Sequence, residues 1–463
     1  MQYHLVVCVA ALIGHVAATC PPAAIERQVV IIGGGCAGVY AATQLRSLGV
    51  SFAVVEKRDH FGGHTATYTI PGTNITIDYG VQGYSSDANG NYDIIEQFFQ
   101  AYNVPIEFWK GSETGFGVTR YFDFRNATEV AGFTFDRDLS KYSALVSQYP
   151  YLEYETATPR PIPRDFLLPF GDFVKKYSLQ SSVFNIFYNA EGLGDLLSQP
   201  TFYVLRELGP GYLRSLSPDS NGSIITADHF NQEPYLRAEA QFGNDSLVSS
   251  TVVAADRGLD GVCLRVQTPT GSIAIKAKKL LVTMPPTLRN MEPLDLSGHE
   301  RQLFAQFKPN GWYAGLINVT GLPANNSFQN VGIGIKYNLP VLPAMYQLSP
   351  LFVPNVYLFR YGSQGYKPEA DIQSDIIATV QRIRKAVVPN ADALSPPRIL
   401  AFANHFPFNL HVPASDLSAG FYDDLDALQG VRSTWYSGAA FFGHSATKIW
   451  NVTEVLVKKM VAA

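Results

Sequence analysis

Cysteine is scarce in this chain, and charge is scarcer than in most globular proteins. Four cysteines occur in 463 residues, at Cys8, Cys20, Cys36 and Cys263. None stands in a Cys-x-x-Cys pair, so the usual zinc spacing is absent and no metal site is expected. Cys8 falls in an apolar leader, and the three that remain are an odd number, which excludes a disulfide framework of the kind that staples small secreted domains. Charged residues make up 16% of the chain, with 35 Lys and Arg against 39 Asp and Glu. A phosphate-tracking surface needs a basic excess, so nucleic acid is excluded as a partner. No apolar run reaches the roughly 20 residues that cross a bilayer. Internal repeats and low-complexity tracts are missing too.

What is present is apolar and aromatic. Hydrophobic residues reach 46% and aromatic ones 13%, the composition of a chain that buries a large core. At roughly 150 residues per domain, the length predicts two or three domains. The apolar stretch from Leu5 to Ala18 ends in small residues, as a secretory signal does, so residues 1–19 are read as a signal peptide. Asn-x-Ser/Thr acceptors at Asn74, Asn126, Asn221, Asn244, Asn318, Asn325 and Asn451 exceed what composition alone supplies. Together they predict a glycoprotein that is secreted or held in the secretory lumen. Asn451 is the acceptor expected to stay unmodified.

The segment VVIIGGGCAGVYAATQLRSLGVSFAVVE, Val29 to Glu56, carries the strongest pattern. Val29 to Ile32 is a continuous β-branched run, as a strand buried on both faces requires. Gly33, Gly35 and Gly38 follow at Gly-x-Gly-x-x-Gly spacing. The first permits a tight turn, the second lets backbone approach a pyrophosphate, and the third allows a helix beginning near Ala37 to pack closely. That helix stops at Gly49, and a second strand ends on Glu56, whose carboxylate suits a ribose diol. Strand, loop, helix, strand and acid in register predict a dinucleotide site.

The residues after Glu56 narrow the dinucleotide to FAD. In EKRDHFGGHTAT, Gly62 and Gly63 follow the acid at the spacing of the second motif of the flavin-containing amine oxidase superfamily: acid, three residues, Arg, one residue, Gly-Gly-Arg, two residues, Ser or Thr. His60 and His64 replace the two arginines, and Thr67 takes the hydroxyl position. The chain resembles that superfamily along most of its length, and most of all its fungal beta-cyclopiazonate dehydrogenase-like FAD oxidoreductases of secondary metabolism. The resemblance implies a donor role for His64 beside the pyrophosphate or flavin. It implies flavin contacts from Gly80, Val81 and Gln82 in IDYGVQGY, and adenine contact through the backbone of Val252. In TWYSGAAFFGHSATKIW it implies a strand end at Gly438 and a helix starting near His444 or Ser445, with the Ser445 end facing the flavin's pyrimidine oxygens. Ala440 stands where amine oxidases carry Glu, and no cysteine is placed for a thioether, so the FAD is expected to be non-covalent. The amine oxidase lysine has no counterpart in FKPNGWYAGLINV, where Tyr313 or Ala314 falls in its region and Lys308 lies too early. The electron acceptor, oxygen or another, stays open.

The expected fold class is α/β: an FAD-binding Rossmann-like domain of the GR2 type, from residues 25–90, 235–292 and 431–463, with an inserted mixed α+β substrate domain from residues 91–234 and 293–430. An aromatic-rich second domain predicts a pocket for a hydrophobic small molecule, terpenoid or alkaloid in type. His405, in ANHFPFNLHV, is the candidate catalytic proton acceptor. The expected activity is hydride removal from such a substrate, with or without ring closure. Three alternatives stand beside it: double-bond isomerisation without net oxidation, thioether oxidation of the prenylcysteine lyase kind, and flavin binding without turnover.

Overall fold

The computed structural model describes Cys20 and residues 25–110, 117–154 and 159–463; the expected signal peptide lies outside them. The β-branched run becomes the middle of the strand Ile25–Ile32, with Val30 and Ile31 fully buried. It pairs in parallel with Phe52–Val55 on one side and Gly271–Val282 on the other. The seven-stranded sheet continues from Gly271–Val282 through an antiparallel meander to Val262–Thr268 and Thr251–Arg257, and ends beyond Phe52–Val55 at Ser246–Leu247. Thr434–Tyr436 adds in parallel to the far half of Gly271–Val282. A parallel sheet needs both faces covered, which explains the unbroken apolar run. The helix Cys36–Ser47 packs against the C-terminal helix Ala446–Ala462. Trp450 from the latter is fully buried, stacks on Tyr40 at 5.4 Å and donates its indole N–H to the Cys36 carbonyl at 3.1 Å.

A second, eight-stranded sheet is built from elsewhere in the chain. Its longest strand is Lys308–Asn318, antiparallel to Val356–Ser363 and to the edge strand Arg398–Asn404. The order then runs through Ala344–Pro350, Asn326–Asn330, Val118–Asp123 and Thr128–Glu129, with Phe408–His411 on the early part of Lys308–Asn318. The helix Glu369–Val387 covers it with Ile372, Ile376, Val380 and Ile383, spaced so that they share one face. Short helices, among them Val183–Asn189, Thr201–Glu207 and Pro210–Ser215, share one core with the nucleotide sheet. The helix Asp93–Ala101 sits just past residue 90, yet its Phe98 contacts both Tyr40 and Trp450.

Cysteine behaves differently from expectation. Cys20 and Cys263 form a disulfide, tying the chain just ahead of the first strand to Val262–Thr268. The odd count argued against a framework and concealed this single staple. Cys36 is left as a free thiol. Among the described residues, no helix is long and apolar enough to cross a membrane.

Candidate functional site

Gly33 has φ +112°, a conformation that L side chains avoid. At Gly35 the chain meets the second motif: a Cβ on Gly63 would stand 2.8 Å from the Gly35 Cα, so the two loops touch through bare backbone. Gly38 packs directly beneath the Gly33 carbonyl. The helix Cys36–Ser47 opens from Gly35 with no side-chain cap and no acid in its first turn, leaving its leading amides open to an anion.

Glu56 directly follows the second strand, Phe52–Val55, and is 8% exposed. Its carboxylate accepts from the Gly34 amide at 2.7 Å and the Arg58 amide at 2.8 Å. The backbone beside it belongs to Leu247–Ser250, through the Glu56 amide to the Leu247 carbonyl at 2.9 Å and the Ser250 amide to the Glu56 carbonyl at 2.8 Å. Val252 lies further along, paired with Val266 and buried. Of the two expected histidines, His60 pairs with Asp59 at 2.6 Å, and only His64 reaches the interior. The guanidinium beside the motif comes from Arg58, which donates to the Gly63 carbonyl. Sequence reading passed over Arg58 because it stands off the motif's arginine positions.

A cavity of about 190 Å³ runs from this loop into the helical layer. Gly62, His64, Val81, Tyr84, Ser445 and Glu207 are among the residues that line it, and the Glu207 carboxylate accepts from the His444 amide at 3.4 Å. Gly80 packs against the His64 carbonyl and the Ala66 amide. The Asn231 side chain donates to the Val81 carbonyl at 3.1 Å, and Gln82 donates to the Asp78 carbonyl at 3.3 Å. Gly438 links Thr434–Tyr436 to the short helix Ala439–Phe442. The C-terminal helix starts at Ala446, capped by Ser445, whose hydroxyl accepts from the Lys448 amide.

Beside the cavity lies a stack of rings. His64 meets His405 edge-on at 4.7 Å and lies parallel to His444 at 5.7 Å. Phe408 stacks on His444 at 3.8 Å, and Trp312 covers His405 at 5.0 Å and Phe408 at 5.5 Å. His444 Nε2 accepts from the Asn409 amide at 3.0 Å, which places its proton on Nδ1. His405 is 3% exposed, and neither ring nitrogen has a partner. Desolvation, then His444 and Arg58, depress His64 to about 3. Desolvation and Arg206 depress His444 to about 3. His405 falls well below its ordinary value through desolvation, then His64 and Arg58. All three imidazoles are therefore neutral near pH 7.

An NAD(P)-binding Rossmann-like domain family matches residues 31–102. FAD-dependent oxidoreductase pigF of Monascus ruber is 38% identical over 94% of this chain and 92% of its own length. Beta-cyclopiazonate dehydrogenase of Aspergillus oryzae is 30% identical over 95% and 94%. The chain belongs to the FAD-dependent oxidoreductases. The fold of this oxidoreductase is also that of a CLA-producing fatty acid isomerase from P. acnes, at TM-score 0.69 and 16% identity over 94% of this chain and 98% of that one. Putrescine oxidase bound to putrescine gives 0.64 at 15% identity over 95% and 100%.

The oxidoreductase's residues fit a flavin dinucleotide. The Gly35–Gly63 contact holds the two motif loops together through backbone that a Cβ would push apart, Glu56 offers a buried acceptor, and two helix starts face one cavity. Trp312 and Phe408 were not singled out from the sequence, and His444 was named only as a candidate helix start, since the three come from separate stretches and no local spacing joins them. Tyr313 is buried in the second sheet's core, while Ala314 lies opposite Arg360 and Ala403. Lys308 is exposed at the start of its strand.

Proposed function

We propose that this oxidoreductase binds FAD without a covalent link and oxidises a C–H bond of a hydrophobic, terpenoid- or alkaloid-type small molecule, with His405 exchanging the coupled proton. Bound flavin supplies a two-electron oxidant at the cavity. Glu56 accepts from the ribose hydroxyls, the first turn of Cys36–Ser47 receives the pyrophosphate, and the Ser445 end of the C-terminal helix faces the pyrimidine oxygens. Free cysteine chemistry is muted at Cys36, whose thiol burial pushes up to about 12, which supports non-covalent retention. Trp312 and Phe408 form an apolar wall that orients the substrate and keeps water away.

The observation that carries this reading is His405: a buried, neutral imidazole with both nitrogens unpartnered in a ring stack beside the nucleotide cavity. A buried polar side chain without a partner is unusual unless a ligand completes it. His405→Ala should keep its flavin and lose roughly 10² to 10⁴ in turnover. A panel of neutral terpenoids and alkaloids, mixed anaerobically with the holoenzyme, identifies the substrate by bleaching of the flavin band. Product of unchanged mass with no bleaching and no acceptor consumed would move the assignment to an isomerase.

A further inference from the structure

Gln82 stands between Val81 and Gly83, both in the cavity wall. Its carbonyl oxygen accepts from Arg360 Nη2 at 2.5 Å, and its amide nitrogen donates to the Asp78 carbonyl, so both ends of the side chain are held. Arg360 Nη1 donates to Glu191 Oε2 at 3.3 Å, and the same oxygen accepts from the Trp312 indole at 3.3 Å. One carboxylate oxygen thus joins the second sheet's guanidinium to the ring that covers His405.

The surroundings explain how these groups meet. Arg360 lies directly across from Ala314, whose small side chain leaves the guanidinium room. The turn carrying Glu191 lies flat on the ring stack, because a Cβ on Gly192 would stand 2.5 Å from Phe408 and 3.3 Å from Trp312. The Glu191 carboxylate is 9% exposed against 24% for the Arg360 side chain. Both charges act on Tyr212, a residue of the cavity wall. The pair therefore sits immediately behind that wall, which itself carries Glu207 and Lys448.

We infer that Glu191 is a positioning residue that holds the Arg360 guanidinium on Gln82 and cancels its charge at the flavin end of the cavity. The inference rests on the reading that flavin occupies this cavity. Its consequence has a definite sign. Reduced flavin carries more negative charge than oxidised flavin, so an unbalanced cation nearby favours reduction. Glu191→Gln leaves Arg360 unbalanced. Arg360→Met leaves a buried carboxylate with no cationic partner and only the Trp312 indole as donor, and such a group takes a proton rather than stay charged. The double variant is neutral by construction.

The test is dye-equilibrium reductive titration of purified holoenzyme, with flavin content and thermal midpoint measured alongside. Glu191→Gln should raise the ratio of reduced to oxidised flavin about tenfold at a given potential, a shift of about 30 mV for two electrons. Arg360→Met and the double variant should stay within about twofold of the parent. Glu191→Ala serves where Glu191→Gln does not accumulate folded, and the same displacement is expected of it. Flavin retained with no displacement in either Glu191 variant overturns the inference, as does an equal displacement in Arg360→Met. A parent protein without flavin would instead defeat the cofactor reading itself.

Discussion

Glu56 shows how one side chain is prepared before its ligand arrives. Its carboxylate is fixed by two backbone amides, from Gly34 and Arg58, so little reorganisation accompanies ribose binding. Removing a charged acceptor typically costs about 1.5 to 3 kcal/mol, so Glu56→Ala should weaken FAD binding roughly 10- to 150-fold, read as flavin lost on gel filtration. The histidines carry a pH signature. His64 and His444 titrate at about 3 in the fold, against about 6.5 in an unfolded chain. Between those values the unfolded chain binds more protons, so their contribution is present above pH 6.5 and lost as pH falls. The thermal midpoint should decline below pH 6.5, and His444→Phe should flatten that decline. Asp78 acts in the opposite direction: burial raises it to about 7, so it costs stability as pH rises from about 4 to 7.

At the scale of elements, the strand–loop–helix–strand unit from Ile25 to Glu56 was legible because each of its parts leaves a local mark: a β-branched run, spaced glycines, a helical repeat, an acid. The approach of Gly35 to Gly63 follows from two motifs read together, and it yields a test. Gly63→Ala should part the loops and abolish flavin retention while the rest of the fold survives, judged by circular dichroism and flavin absorbance. The ring stack left no such mark. His64, Trp312, His405, Phe408 and His444 come from four separate stretches and meet only because the second sheet and the start of the C-terminal helix close on the nucleotide loop. His405 was found through its aromatic neighbours, whereas Arg360 and Glu191 looked like ordinary strand and loop charges. Even the helix start near His444 or Ser445 was placed within a turn, since Ser445 is a standard cap.

At the scale of the whole molecule, we propose secretory passage. A disulfide between Cys20 and Cys263 persists in an oxidising compartment, and Asn74, Asn126, Asn221, Asn244 and Asn325 are exposed. Asn318 and Asn451 are partly buried in a strand and a helix. Protein from a eukaryotic host should begin at or shortly before Cys20 and lose mass on deglycosylation, with glycans mapped to exposed acceptors. An intact Met1 and unmodified asparagines would contradict that placement.

We propose that these loops and helix ends hold FAD non-covalently, and the most direct test is the visible spectrum of purified protein before and after acid precipitation, with mass analysis of the supernatant. Purified protein should be yellow, and its colour should pass to the supernatant as intact FAD. A colourless protein that binds NAD, or flavin that stays with the polypeptide after acid, would contradict it.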